Sequence, residues 1–429
     1  MEIDNLDLSV SRLGECKIST PLTGVQFVDD EERVLFHSSL KGVKEVLDKG
    51  GRLPSFEMAG PRRKIYFDPS KLKCGIVTCG GICPGVNDVI RAIVLSLYHH
   101  YGVPNVCGFR YGFEGLSPKY SHYPMELTPK EVVNIQQWGG TILGTSRGPQ
   151  DVSEMVDTLE RMDMRILFAI GGDGTLRGAH AIHEEIRRRN LKIGVIGIPK
   201  TIDNDISLVD KSFGFETAVA EARHAIHGAH VESIGARNGI GLVKLMGRES
   251  GFISANATLA TTQVNFCLVP EVPFGLDVFL GALGARLERR HHSVVVVAEG
   301  AGQDLMKGTN MKDRSGNVRL GDIGLFLRDH IKTYFEHAGK TITLKYIDPS
   351  YMIRSMAANP HDSVFCLLLG HNAVHAGMAG RTNMLTGFWN GEYTHVPIQL
   401  AVSKRKQIDP HGRLWSSVVE STGQPRQML

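Results

Sequence analysis

The chain has 429 residues, 42% of them hydrophobic and 22% charged, with a formal net charge of +3. That length exceeds one ordinary core and suits two domains with an extension. The near-neutral charge gives no basis for nucleic acid or a polybasic membrane contact as the main partner. Seven cysteines without a CxxC pair fit neither zinc spacing nor a secreted disulfide framework. No run reaches the roughly 18 apolar residues of a membrane span, and the acidic opening, residues 1–10, does not read as a secretion signal. A cytoplasmic location is expected.

Residues 1–72 are mixed and polar, broken by Pro54, Pro61 and Pro69, and read as an N-terminal extension. From residue 73 the texture changes. Short runs rich in Val and Ile at 74–79, 166–170, 193–198, 241–246, 266–269 and 294–298 predict strands buried on both faces, as in a parallel sheet. Helices are predicted over 86–100, 153–162, 176–189, 217–233, 276–290, 321–337 and 363–379. In the second, Met155, Leu159 and Met162 recur at helical spacing. Strand, glycine turn and helix in alternation predict an α/β fold. The expected architecture is two Rossmann-like three-layer domains with mainly parallel sheets and an active-site cleft between them. The expected boundaries are 73–214 (completed by segments after 354), 215–353, and a C-terminal tail over 386–429.

In such sheets ligands sit beyond the carboxyl ends of the strands, and six loops there carry unusual residues. The first, residues 79–87, places Gly80, Gly81 and Gly85 between a strand and a helix, where free amides favour an anion. A tight turn without a ligand fits the same string. The second, Gly171-Gly172-Asp173-Gly174-Thr175, sets a carboxylate inside a glycine turn, which suits magnesium held beside phosphates. The third reads PKTIDND over 199–205. In an extended loop Asp203 and Asp205 project the same way, so one can accept a proton and the other help hold a metal. Lys200 adds positive charge for a passing phosphoryl group. A calcium loop needs more ligands at regular spacing, and a solvated turn also fits. In the fourth (244–251) and fifth (297–300), Arg248 and Glu299 could grip a sugar, and taken singly these loops and the sixth fit a structural role better. The sixth, 345–354, offers Lys345, Tyr351 and Arg354 for a phosphate pocket.

From about 74 to 385, the order and spacing of these strings resemble the phosphofructokinase family. GGDGT alone is shared with diacylglycerol, sphingosine and NAD kinases, but PKTIDND with MGR some forty residues on is specific. The resemblance implies transfer of the γ-phosphate of ATP to the 1-hydroxyl of fructose 6-phosphate, a step of glycolysis. By position it implies that Gly81, Arg147, Gly148, Gly172, Asp173, Gly174 and Thr175 bind ATP in the domain 73–214. Asp173 would hold Mg²⁺, with Asp205 in indirect support. Asp203 would be the general base, and Thr201, Lys200 and Arg248 would complete the catalytic set. Thr201, Ile202, Asp203, Met246, Gly247, Arg248 and Glu299 would contact the sugar, mostly from the domain 215–353. Tyr351, Met352, Ile353 and Arg354 would bind its 6-phosphate. Lys345 stands where bacterial relatives have an arginine reaching in from a neighbouring subunit, so a homo-oligomer, dimer or tetramer, is implied.

The chain departs from the family pattern at informative positions. Gly174 stands where pyrophosphate-using relatives have a second aspartate, and glycine leaves room for the α-phosphate of ATP. Lys200 is of the pyrophosphate type. The combination is similar to an ATP-using subgroup of plants and some protists, so ATP is the expected donor. Pyrophosphate is the rival donor, and a non-catalytic paralogue that binds sugar phosphate is the rival of another class. Gly239 replaces a second substrate arginine, for which Arg237 is a nearby substitute. Tyr351 replaces a histidine.

Overall fold

The structure, a computed structural model, describes residues 7–306 and 318–429, so the first six residues of the expected extension lie outside it. The chain divides into two units. The first comprises Met1–Thr201, Ile206–Gly214 and Met356–Lys404. Its sheet begins with the apolar runs near 166 and 194, which become the strands Ile166–Gly171 and Gly194–Pro199, buried along their whole length. They lie in a nine-stranded sheet of order Arg33–Leu35, Ser55–Met58, Glu392–Pro397, Met384–Trp389, Gly194–Pro199, Ile166–Gly171, Lys73–Thr78, Asn105–Phe109, Met125–Glu126. The run from Met384–Trp389 to Asn105–Phe109 is parallel, and the flanking strands are antiparallel. Such a centre needs cover on both faces. On one, Leu167, Ala169 and Val195 pack with Leu159, Leu176 and Ile182 of the helices Val152–Arg161 and Asp173–Arg188. The helix Pro360–Met378 approaches Val86–Leu95 so closely that a Cβ on Gly370 would lie 2.6 Å from the Ala92 methyl.

The segments expected to be an extension and a tail lie inside the units. Ser55–Met58 pairs with Glu392–Pro397, which pairs in turn with Met384–Trp389. Glu57, 3% exposed, is held there by Arg381 at 2.7 Å, His395 at 3.1 Å and Arg62 at 3.3 Å. Antiparallel flanking strands carry mixed polar residues, as in Glu392-Tyr-Thr-His, so they lack the apolar run that marks a central strand.

The second unit comprises Ile202–Asp205, Phe215–Ser355 and Arg405–Leu429. Its sheet has the order Phe266–Leu268, His292–Ala298, Gly239–Leu245, Thr343–Ile347, all parallel. Adjacent residues of one strand enter different cores. Val243, Val294 and Val296 pack with Ala222, Ile226 and Trp415, and Leu242, Val295 and Val297 with Leu283, Leu327 and Ile331. This is the three-layer arrangement expected. The helices Phe215–Ile234, Leu276–Arg290 and Ile323–His337 match the helical runs in the sequence. Phe252–Thr261 was not expected, because its small residues show no polar face to give it a period. Trp415, on the helix Arg413–Thr422, is 2% exposed, so these late residues are core as well. No helix among the described residues is long and apolar enough to cross a membrane.

Candidate active site

In the first unit the glycine strings follow strand ends, as expected. Lys73–Thr78 runs into Gly80, at φ +87°, and Gly85, at φ +97°, precedes the helix Val86–Leu95. Gly85 is required twice, by its left-handed φ and because a Cβ would lie 2.6 Å from the Cys366 sulfur. Three contacts brace this turn: Gly80 N–H donates to Ser146 C=O at 3.0 Å, Thr145 Oγ1 donates to Gly80 C=O at 2.6 Å, and Lys200 Nζ donates to Gly81 C=O at 2.6 Å. Arg147, exposed, and Gly148, at φ +106°, follow directly in the bracing segment. The Gly80–Gly81 turn, Arg147–Gly148 and Lys200 are therefore assembled together.

The strand Ile166–Gly171 ends at Gly172, which begins the helix Asp173–Arg188. A Cβ on Gly171 would lie 2.1 Å from Thr175 Oγ1, whereas one on Gly174 would meet nothing within 4 Å. The Lys200 amide donates to Gly171 C=O at 2.9 Å, joining this turn to the end of Gly194–Pro199. Asp173 takes the first helical position, where the dipole favours a carboxylate, and Arg177 Nε donates to its Oδ2 at 3.0 Å. Arg177 also donates to the Val402 carbonyl. Among the described residues no group of three His, Cys, Asp or Glu side chains is placed to hold a metal ion. A single accessible carboxylate at a helix start suits Mg²⁺ that keeps water and phosphate oxygens as its other ligands, and does not suit an all-protein cage.

The unit boundary falls inside PKTIDND: Thr201 belongs to the first unit and Ile202–Asp205 to the second. Asp203 and Asp205 are near each other, but not by strand alternation. Asn204 between them has φ +56°, a left-handed conformation that asparagine tolerates. Burial pushes the Asp203 carboxyl up, the negative charges of Asp205 and Glu299 push it further, and the Arg248 amide, which donates to it, opposes them. Asp205, 2% exposed, pairs with Arg405.

The parallel strands Gly239–Leu245 and His292–Ala298 continue their pairing past their ends. Glu299 N–H donates to Leu245 C=O at 2.9 Å and Gly300 N–H to Gly247 C=O at 3.0 Å. This sets Met246–Arg248 beside Glu299–Gly300. Gly247, at φ +127°, has no room for a Cβ, which would lie 2.4 Å from Ser250 O. Burial raises the Glu299 carboxyl against the nearby Arg248, Lys244 and Arg354. Arg354 stacks on Tyr351 at 4.8 Å, and its buried Nε has no hydrogen-bond partner among the described residues. Arg248 donates to the Val318 carbonyl. Arg248, Glu299, Arg354 and the Asp203 carboxylate thus form one charged cluster.

One expected residue sits differently. Ile353 is 1% exposed within the core, so its side chain is not offered to a ligand, whereas Met352 is 68% exposed. Lys345 pairs with Glu232 at 3.7 Å rather than with Glu299. Gly239 begins the strand whose far end carries Met246–Arg248, and a Cβ there would lie 2.1 Å from Ser233 O, so no arginine fits. Sequence reasoning missed Arg177, Arg405 and Lys244, which pairs with Asp322 and Asp348 at 3.0 Å each. Arg177 was findable, lying four residues after Asp173 on a helix. Arg405 was not, being 200 residues from its partner.

A family model described as phosphofructokinase matches residues 73–377. The chain is 48% identical over 445 residues to a protein of Borreliella burgdorferi named ATP-dependent 6-phosphofructokinase, covering 99% of this chain and 98% of that one. A protein of the same name from Trypanosoma cruzi is 46% identical over 429 residues, covering 98% of this chain and 88% of its own. Among solved structures, a pyrophosphate-dependent phosphofructokinase from Marinobacter aquaeolei shares the fold at a TM-score of 0.68 and 17% identity, covering 82% of this chain and 91% of that chain. With a family model over residues 73–377 and near-complete coverage at 48% identity, the chain belongs to the phosphofructokinase family.

Proposed function

We propose that this protein is an ATP-dependent 6-phosphofructokinase of the cytoplasm, transferring the γ-phosphoryl group of ATP to the 1-hydroxyl of fructose 6-phosphate. The observation that carries this reading is the environment of Asp203. A carboxylate made more basic by burial and by neighbouring acids, and oriented by a backbone amide, suits removal of a proton from a sugar hydroxyl. The first unit carries residues suited to a nucleotide. Amides of the Gly80–Gly81 turn and of the helix beginning at Asp173 receive phosphate oxygens. Asp173 would hold Mg²⁺, which neutralises phosphate charge. The second unit carries residues suited to a sugar phosphate. Arg248 and Glu299 hold hydroxyls, and Arg354, with its unpartnered Nε, meets the 6-phosphate beside Tyr351.

Donor choice rests on Gly174 and Lys200. The open space at Gly174 accommodates a nucleotide beyond its terminal phosphates. Lys200 is engaged with the Gly81 carbonyl, so it braces the turn as well as adding charge. The half-exposed Lys345 is available at the surface for contact with another copy, and the working unit is at least a dimer. Purified protein with fructose 6-phosphate and Mg²⁺, assayed with ATP and separately with pyrophosphate, tests the reading. ATP turnover is expected. Turnover with pyrophosphate alone overturns the donor assignment, and none with either supports the non-catalytic paralogue.

A further inference from the structure

The stretch that follows the family strings returns to the acidic turn. Arg405 Nη1 pairs with the buried Asp205 carboxylate, and the Lys406 amide donates to the Asp205 carbonyl at 2.8 Å. Two residues on, Gln407 Nε2 donates to Glu249 C=O at 3.0 Å. The Ile408 amide donates to the Glu271 carboxylate at 2.9 Å, and the same carboxylate accepts from Gly251 N–H at 3.0 Å. These contacts fasten residues 405–408 both to the Asp203–Asp205 turn and to the segment after Arg248.

We infer that Arg405 is a positioning residue for phosphoryl transfer, acting through Asp205 on Asp203. The inference rests on the function proposed above. A carboxylate that is 2% exposed needs a paired cation and hydrogen bonds to hold one orientation. Arg405 gives Asp205 the cation, and Lys406 holds its main chain, so both ends of the residue are restrained. Only Asn204 separates it from Asp203. Its left-handed φ turns the chain sharply there, so a displacement of Asp205 shifts the backbone that carries Asp203. The guanidinium also opposes the repulsion that Asp205 exerts on Asp203. Arg405 touches neither substrate in this account. It fixes the direction and surroundings of the base.

Arg405→Ala and Arg405→Lys, compared with wild type for kcat, both KM values and thermal midpoint, test the role. Arg405→Ala is expected to lose about 10–100-fold in kcat, the scale of a small misplacement of reacting groups, with both KM values within about threefold. Arg405→Lys is expected to recover part of the loss. Millimolar guanidinium is expected to raise kcat of the Ala variant and not that of wild type. Wild-type kcat in Arg405→Ala overturns the inference, as does a loss that neither lysine nor guanidinium repairs. If Arg405→Ala does not fold, Arg405→Gln, which keeps much of the side chain without its charge, decides. A lowered kcat at unchanged thermal midpoint supports the role, and a wild-type kcat overturns it. A wild-type protein without turnover overturns the function itself, whereas an active wild type whose variants keep kcat overturns only the role of Arg405.

Discussion

Replacing Asp203 with Asn keeps the shape of the side chain and removes its charge and basicity, so it separates two consequences of the same environment. As a general base, Asp203 supplies a proton-transfer advantage of ~10²–10⁴-fold, and Asp203→Asn should lower kcat by that range while the fructose 6-phosphate KM changes little. The second consequence is opposite in sign. The folded state raises the Asp203 carboxyl, chiefly by burial and then by Asp205 and Glu299. A group raised in this way costs stability once pH exceeds the ordinary carboxylate range, because the unfolded chain ionises it freely and the folded chain resists. Each tenfold change in that protonation equilibrium is worth ~1.4 kcal/mol, which corresponds to a rise of about 2–6 °C for a unit of this size. Metal-free Asp203→Asn should therefore melt a few degrees higher than wild type near pH 7.5, with the difference shrinking as pH falls. The assay is coupled turnover beside thermal unfolding of the same metal-free samples. A kcat within threefold of wild type refutes the base assignment, and a lowered thermal midpoint refutes the crowding of acids.

Gly174→Asp should raise the ATP KM at least tenfold with little change in thermal midpoint, since its Cβ meets nothing within 4 Å; an unchanged ATP KM refutes the spatial argument. Arg354→Ala should raise the fructose 6-phosphate KM by about 10–100-fold, the worth of hydrogen bonds to a charged group, and leave the ATP KM within threefold; equal effects on both refute its place at the 6-phosphate. Glu57→Gln should destabilise the protein by about 3–5 kcal/mol in urea unfolding, because Arg62 and Arg381 lose a buried partner. Burial would raise the Glu57 carboxyl, but His395 and then Arg381 overcome it and hold it well below its usual range. That stability is fully present above the ordinary carboxylate range and lost as pH falls below it, so the gap between wild type and Glu57→Gln should hold from pH 7 to about pH 5 and narrow below about pH 4. A gap that does not narrow below about pH 4 refutes the coupling.

The central strands and most helices were legible because they are buried on both faces or carry an apolar stripe, and such elements print their period in the sequence. Ile166–Gly171 and Leu276–Arg290 are of this kind. Arg33–Leu35, Ser55–Met58 and Glu392–Pro397 were not, because short antiparallel strands mix polar and apolar residues and are recognised only by their partners.

The sequence by itself determined the chemistry on offer: glycine turns after strands, a lone carboxylate in GGDGT, two acids in PKTIDND, and Arg248 and Glu299 beyond strand ends. Those features are local, since backbone freedom and strand position follow from residue type. Tertiary structure alone decided how the acids are governed. Arg405 reaches Asp205 from 200 residues away, Lys200 braces the turn at Gly81, and Glu299 raises the Asp203 carboxyl from beyond the end of His292–Ala298. Charge acts through space, and a residue's neighbours in space are set by the folding of the whole chain.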